Sequence, residues 1–266
     1  MGVDIISRET LIRVGCFAAI FCCVVIMEAV APRRRLPVSK PRRWFANLAM
    51  QAIDALVPRL IFPVLPMGLA MLMADRGWGL LHYFHAASGP AVVIGILALD
   101  LAIYLQHCLF HRTPLLWRLH KVHHTDQDID VTSGLRFHPV EIILSLMIKL
   151  AVVAVIGAPP LAVLIFEILL NGASMFNHGN VRIPLSWDRA IRMFLVTPDM
   201  HRVHHSVIVG ETNSNYGFSV PWWDRLFGTY RDQPAEGHDR MRIGLDGYHD
   251  DRSSSLTSLL IMPFVR

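Results

Sequence analysis

The sequence predicts an all-α, integral-membrane helical bundle of about four to five transmembrane helices, with a polar cap on the cytoplasmic side. Hydrophobic residues make up 53% of the 266 residues and charged residues only 17%, whereas a soluble domain carries about 25% charged residues. The apolar residues are gathered into helix-length runs. Basic residues are concentrated beside one of these runs, which is typical of a membrane protein with a defined orientation.

The first apolar run, residues 14–31, is about long enough to cross a bilayer, because a spanning helix needs roughly 20 apolar residues. Dense positive charge follows the run, at Arg33, Arg34 and Arg35. A cleaved signal peptide would instead carry its positive charge before the apolar stretch. The run is therefore predicted to be a retained transmembrane helix.

The next runs predict three or four further spans. Residues 45–74 are interrupted by Asp54, Arg59 and three prolines, which predicts a single kinked span. The third run covers residues 91–110 and is uninterrupted by proline. It is predicted to cross the membrane as one helix.

A hairpin of two apolar runs completes the predicted bundle. Residues 140–158 and 161–176 are separated only by a Pro-Pro break, and so short a connection predicts an antiparallel helical pair. Beyond residue 178 the chain becomes polar, and it is predicted to form a cap to about Tyr248.

The distribution of positive charge predicts the orientation. Cytoplasmic loops are enriched in lysine and arginine, which places residues 32–43 in the cytoplasm and, by counting spans, all the histidine clusters described below on that same side. The net charge of +4 is thus assigned to orientation, and no nucleic-acid partner is expected, since no recognition motif accompanies it. The predicted units are residues 1–43 (first transmembrane helix and basic loop), 44–252 (membrane domain with its cap) and 253–266 (C-terminal tail).

Histidine is unusually abundant and unevenly placed. Ten of the 14 histidines fall between His107 and His205. On a helix, residues three and four apart share a face, so each cluster can present two or three imidazoles to one point. The three clusters are His107 with His111; His120 with His123 and His124; and His201 with His204 and His205.

The number of imidazoles predicts a two-metal site, because eight exceed what one four-coordinate zinc uses. A metalloprotease would carry His-Glu-x-x-His, and no histidine in this chain is followed by glutamate. Since zinc has no redox chemistry, an all-imidazole site with two metals favours oxygen activation by iron. Two alternatives stay open at this point, a membrane zinc-dependent hydrolase and a non-catalytic metal-binding membrane protein.

At these residues the chain resembles the fatty acid hydroxylase superfamily, which includes sterol desaturases, sterol methyl oxidases and fatty acid hydroxylases. The resemblance covers roughly residues 91–232 and rests on the spacing His-x3-His, then His-x2-His-His, then a late His-x2-His-His. Four shorter stretches add to it: residues 136–141, 177–180, 215–217 and 223–229.

The resemblance implies a helical cap holding two iron ions, with zinc as a substitute in purified protein and dioxygen as co-substrate. The implied reaction is hydroxylation or desaturation of a C–H bond of a lipid such as a sterol, a fatty acyl chain or an aminolipid. No electron-carrier domain is visible in the sequence, so an external donor is implied, either a ferredoxin or a small haem cytochrome with its reductase. The implied ligands are His107, His111, His120, His123, His124, His178, His201, His204 and His205.

Five further residues receive structural or supporting roles. Glu141 and Asp224 are candidates for orienting imidazole N–H groups, although an arginine is the favoured partner of Asp224. His138 is equally compatible with a tenth ligand and with a structural role at a helix start. Asp199 is expected to cap the helix of the third cluster rather than to hold a ligand histidine, and His238 is expected at the surface or the interface.

Overall fold

The computed structural model describes residues 8–36 and 38–265. Residues 1–7, Pro37 and residue 266, which belong to the first and last predicted units, lie outside the described residues. Within the described ranges the chain forms helices and two isolated β-bridges, with no β-strand. Five segments are long and apolar enough to cross a membrane. The predicted all-helical bundle with about five spans is therefore confirmed.

The membrane helices follow one another with short connections. A short helix, Pro114–His124, lies between the third and fourth candidate spans. In chain order the helices are α1 (Glu9–Val30), α2 (Lys40–Ile61), α3 (Pro66–Arg76), α4 (Leu80–Tyr83), α5 (Ser88–Arg112), α6 (Pro114–His124), α7 (Pro139–Ile156) and α8 (Pro160–Asn177), of which α2 to α4 together form one candidate span.

Helix α1 begins about one turn before the predicted apolar run. The charged residues of this additional turn form ion pairs. Arg13 lies 2.6 Å from Glu9 on the same helix and 2.9 Å from Glu167 of α8. Lys149 of α7 lies 3.7 Å from the same Glu167. Two acids and two bases thus balance one another, which allows charged groups to lie within membrane helices.

The second span is kinked, as the sequence predicts. Helix α2 ends at Ile61 and α3 begins at Pro66, with Pro63 in the connection. Helix α2 begins at Lys40 because Pro41 fits the first turn of a helix. The predicted unit boundary at residue 43 falls inside this helix, and the division into units stays a prediction.

The core of the bundle lies between α5, α7 and α8. Leu99 and Ile103 of α5 pack with Val153 of α7 and Phe166 of α8, and all four side chains are buried. The predicted hairpin of α7 and α8 turns at Gly157, whose φ of 67° is the left-handed conformation that glycine adopts readily. Large apolar side chains on the outside of the helices stay exposed, as expected for helices that face lipid.

Residues 113–138 and 178–265, here called the cap, cover one end of the bundle. Leu259 and Met262 in the last part of the chain are buried against Ala46 and Met50 of α2 and Val122 of α6. The C-terminal segment thus ties α6 to a membrane helix. Besides α6, the cap contains α9 (Leu185–Ile191), α10 (Pro198–His204), α11 (Val209–Thr212), α12 (Trp222–Leu226), α13 (Leu256–Ile261) and two 3-10 turns, Ser133–Leu135 and Asp251–Ser254.

Ion pairs join residues 32–43, here called the basic segment, to the cap. Arg43, only 1% exposed, lies 2.9 Å from Asp126 and also pairs with Asp130. Burial raises the pKa of Asp126, but Arg43 and Arg136 more than offset this and hold that pKa below its usual value. The basic segment therefore holds the cap on the bundle, in addition to the orienting role that the sequence predicts for it.

Candidate metal centre

Four helix ends bring the predicted ligands together where the bundle meets the cap. Helix α5 supplies two histidines one turn apart near its C-terminus, and α6 supplies three. His178 is the C-cap residue of α8, and His205 is the C-cap residue of α10. Because α6 follows α5 after a single residue, Thr113, their histidines are held close together.

All nine predicted ligands lie in two adjacent groups. Each residue offers one donor atom, and within a group these atoms lie within 4.8 Å of one another. The first histidine group is His107, His111, His120, His124 and His204; the second histidine group is His123, His178, His201 and His205.

The two triplets divide between the groups, so that each triplet presents two imidazoles to one group and the third imidazole to the other. On α6, His120 and His124 join the first group while His123 joins the second. On α10 the division is reversed, with His201 and His205 in the second group and His204 in the first. In both triplets the residues four apart stay together, because one turn of helix returns a side chain to nearly the same direction.

The spacing of the ring nitrogens fits metal coordination. The Nε2 atoms of His107 and His120 are 3.0 Å apart, and that of His178 lies 3.1 Å from those of His123 and His201. Two nitrogens bound at right angles to one ion at about 2.1 Å would be roughly 3.0 Å apart. The first and second groups therefore each resemble a set of donors around a point.

Burial keeps these imidazoles neutral. The cap donors are at most 1% exposed. Burial lowers the pKa of His120 to about 3 and that of His178 to about 4, and it lowers the pKa values of His123, His124, His201, His204 and His205 well below the usual range. A neutral imidazole has a free lone pair, which is what a metal ion requires.

Hydrogen bonds on the outer side orient five of the rings. Four of the partners are backbone carbonyl oxygens, which can only accept, so Nδ1 of these rings carries the hydrogen and Nε2 is left with its lone pair directed inward. The contacts are His107 to the Tyr216 carbonyl (2.7 Å), His123 to that of Arg136 (3.2 Å), His178 to that of Ser174 (2.7 Å), His204 to that of Ser214 (2.7 Å) and His120 to the Glu141 carboxylate (2.7 Å).

Several ring nitrogens in the groups have no hydrogen-bond partner among the described residues. Both nitrogens of His111 and His124, and the Nε2 atom of His204, are buried in this way. Unpartnered buried polar atoms are rare in folded proteins. Metal coordination would satisfy them, and an all-imidazole donor set suits iron, copper, nickel or zinc.

The contact of Glu141 with His120 confirms one of the two orienting partners suggested by the sequence. We expect Glu141→Leu to lower the metal affinity of the first group by about 10- to 100-fold, because the imidazole loses its orienting acceptor. Glu141→Gln, which keeps an acceptor oxygen, is expected to lose less. Metal titration of both variants tests this, and equal affinity of Glu141→Leu and the unchanged protein would contradict it.

Asp224 and Asp199 have other roles than those expected. Asp224 is completely buried and accepts hydrogen bonds from the backbone N–H groups of Tyr216 and Gly217, both at 2.8 Å, so it holds the loop that orients His107. Asp199 does not cap α10, since the Thr197 side chain accepts from the Met200 N–H. Thr197 occupies the N-cap position, whereas Asp199 lies inside the first turn of the helix.

Asp199 instead forms an ion-pair network across the cap. It pairs with Arg33 at 3.1 Å and with Arg202 of α10. His238 lies 3.7 Å from the same carboxylate and is only 7% exposed, so the expectation that it lies at the surface is wrong. Burial lowers the pKa of His238 to about 4, so the imidazole lies beside this network in its neutral form.

His138 lies outside both histidine groups. Its Nδ1 accepts from the Val140 N–H at the start of α7, and its Nε2 lies 3.1 Å from the Leu260 carbonyl. Both ring nitrogens are thus used to hold the helix start and the C-terminal segment. Of the two roles compatible with the sequence, the structure favours the structural one.

A cavity of about 540 Å³ reaches the first histidine group. Its wall includes His107 and His120, together with residues of α1, α2, α7 and α8. Near the cap, Phe21 of α1 contacts Trp44 of α2. The cavity is lined by residues of these two helices that lie farther from the cap. A volume of this size is typical of small-molecule sites, and here it lies among membrane helices.

The comparison with protein families identifies the chain. The model of the fatty acid hydroxylase family matches residues 92–229, which include both histidine groups. The chain belongs to the fatty acid hydroxylase family.

Curated relatives match about half of the chain. The ornithine lipid hydroxylase OlsE of Rhizobium tropici is 29% identical over 54% of this chain and 42% of its own length. The alkylglycerol monooxygenase of Xenopus tropicalis is 30% identical over 50% and 29%, and the cholesterol 25-hydroxylase of Rattus norvegicus is 28% identical over 54% and 47%. The matched part thus spans less than half the length of these relatives. No solved structure matches the chain.

Sequence reasoning missed two features of the site. The backbone carbonyls that orient His123, His178 and His204 belong to residues of any type, so no sequence signal marks them. Asp54 lines the cavity, yet along the chain it stood out only as an interruption of an apolar run. A charged residue within a span was the available signal.

Proposed function

We propose that this chain is a membrane di-iron oxygenase that uses dioxygen and electrons from an external donor to hydroxylate, or desaturate, a C–H bond of a lipid. The observation that carries the proposal is the pair of buried all-imidazole groups beside a cavity that lies among the membrane helices. The named activities of the relatives, all lipid hydroxylases or monooxygenases, support it.

The nine histidines of the two groups would hold the metals, the first group with five donors and the second with four. A pair of irons bound there would supply electron uptake, activation of dioxygen and oxidation of an unactivated C–H bond. Hydroxylation then consumes one dioxygen, two electrons and two protons, and it yields the alcohol and one water. Zinc could fill the same donors in purified protein without supporting this chemistry.

The protein residues provide geometry and an enclosed pocket. His107 and His120 face the cavity, so a C–H bond of a bound lipid can lie beside the first group. Phe137 and Phe218 line the same end of the cavity and contribute apolar surface around the reacting carbon. Burial of the donors excludes water, which protects reactive states from side reactions.

The electron donor is proposed to be a ferredoxin or a small haem cytochrome with its reductase. The positive-inside rule supports a cytoplasmic location of the cap and the metal centre, because the basic residues 33–35, 40, 42 and 43 lie at the cap end of the spans. In that location the centre is accessible to soluble reductants of the cytoplasm.

The test is the metal content of protein purified anaerobically in detergent from iron-supplied cells, followed by reaction with ¹⁸O₂ and membrane lipids. We expect about two irons per chain and one labelled oxygen in a lipid product. His123→Ala, which removes a donor of the second group, should lose iron. His249→Ala, an exposed histidine outside both groups, is the matched control and should retain it.

Two outcomes would contradict the proposal. Stoichiometric zinc with no iron under these conditions would favour a hydrolase. Folded protein without any bound metal would mean that the histidine groups do not form a metal centre.

A further inference from the structure

The cavity wall carries a buried acid that has no hydrogen-bond partner among the described residues. Asp54 of α2 lines the cavity and is 7% exposed, and no described residue donates a hydrogen bond to either of its carboxylate oxygens. A buried charge without a partner is strongly unfavourable. An ionisable residue inside a membrane span is usually retained for a ligand, a proton or a paired residue.

The cationic groups of the cavity wall are paired or exposed. Arg13 and Lys149 share the acids Glu9 and Glu167, so this cluster is neutral. Arg59 is exposed, and its guanidinium donates to a carbonyl oxygen of its own helix at 2.7 Å. Among the described residues, the wall therefore holds no buried cation that offsets Asp54.

Asp54 lies near the metal end of the cavity. Met50, one turn earlier on α2, packs against Val122, which is flanked by histidines of both groups. Glu141, which also lines the cavity, contacts His120 through one oxygen and has no partner for the other. Gln106, next to His107, adds a fourth buried acceptor oxygen without a donor, after the two of Asp54 and the one of Glu141.

These oxygens select a ligand group that donates hydrogen bonds and carries positive charge. An ammonium group has three N–H donors and no acceptor, so it matches several acceptor oxygens and the charge of Asp54 at once. A hydroxyl group would donate only one hydrogen bond and would leave the charge unpaired. A carboxylate or phosphate group would be repelled.

We propose that the metal end of this cavity binds the ammonium group of an aminolipid, with Asp54 as its counter-charge. The oxidised carbon then lies in the headgroup or close to it, since the ammonium group is held beside His107 and His120. This inference rests on the proposed function, because it assigns the substrate of that same metal centre. Phe17, Ile20 and Leu146 in the rest of the wall provide apolar contact for the acyl chain.

Binding without turnover provides the test. Anaerobic, iron-loaded protein in nanodiscs is titrated with dodecylammonium and with its neutral amide, N-dodecylacetamide. Apparent affinities are obtained from the rise in the midpoint of thermal unfolding, because a ligand that binds the folded state stabilises it. We expect the ammonium probe to bind at least about tenfold more tightly, as a desolvated charge pair would give.

The variants separate a role in lipid binding from a role in metal binding. Asp54→Asn should bring the two probes to within about twofold of each other with iron content unchanged. Asp54→Glu, which keeps the charge, and Asp75→Asn, which removes an exposed carboxylate of α3, should both keep the preference. If Asp54 instead offsets the charge of the metals, Asp54→Asn would lose iron and retain the preference, which overturns the inference.

The comparison of the two probes on the unchanged protein decides the question even if Asp54→Asn does not fold. Equal affinity for the two probes would overturn the inference. Iron content and ¹⁸O incorporation are measured on the same preparation. If both are found while the preference is absent, this inference alone fails and the oxygenase proposal stands.

Discussion

Replacing His111 or His178 by alanine is expected to remove one iron each and to abolish oxygenation. His111 belongs to the first histidine group and His178 to the second, so each variant loses a donor from a different group. Iron content should fall from about two to about one per chain. Turnover should fall at least about 10³-fold in both, because residues that act as one unit fail together.

Mössbauer spectra of ⁵⁷Fe-loaded protein together with lipid turnover check this expectation. The two single-iron variants should show different spectra, since five imidazoles remain possible in one and four in the other. His249→Ala again serves as the control that keeps both irons. If either variant retains two irons and full turnover, the division of the nine histidines into two metal sites is wrong.

Arg43→Met is expected to destabilise the folded protein by about 3–5 kcal/mol. The arginine is almost completely buried and pairs with Asp126 and Asp130. Its removal would take this cation from Asp130 and leave Asp126 with Arg136 alone, and a buried charge that loses its partner is strongly unfavourable. These two acids lie in the loop between α6 and α7. The loss of stability should therefore be accompanied by weaker metal retention by the donors of α6.

The neighbouring Arg42 supplies the matched control. Its ion pair with Asp251, at 2.6 Å, is exposed, with side-chain exposures of 51% and 88%. Arg42→Met should therefore cost less than about 1 kcal/mol. The free energy of unfolding in detergent, from denaturant titration, compares the two; similar small effects would show that the Arg43 pairs do not hold the cap in place.

The sequence predicts the membrane helices well, because length and hydrophobicity are local properties. The structure contains all the predicted apolar runs as helices, and the Pro-Pro break as a hairpin turn. The helix ends differ where charge is paired in three dimensions. Helix α1 extends to Glu9 and α2 begins at Lys40, since ion pairs with residues far along the chain accommodate the charged groups.

The members of the histidine site were predictable, but their division was not. Spacing of three and four shows that His120, His123 and His124 lie on adjacent faces of a helix. The histidine group that each of them joins depends on where α5, α8 and α10 end, and tertiary packing decides this. The predicted roles of Asp199 and Asp224 differ from the observed ones for the same reason. Asp199 pairs with Arg33, which is remote in the sequence, and Asp224 accepts from backbone N–H groups, which no side-chain pattern marks.

The packing of the C-terminal segment on α6 determines when the centre can be closed during synthesis. Leu259 and Met262 cover Val122, which lies between the donors His120 and His123. These two residues emerge from the ribosome after every donor of both groups has been made. Until they dock, only α2 covers this side of α6, so the nascent chain passes through a stage in which its donors are complete but their cover is not.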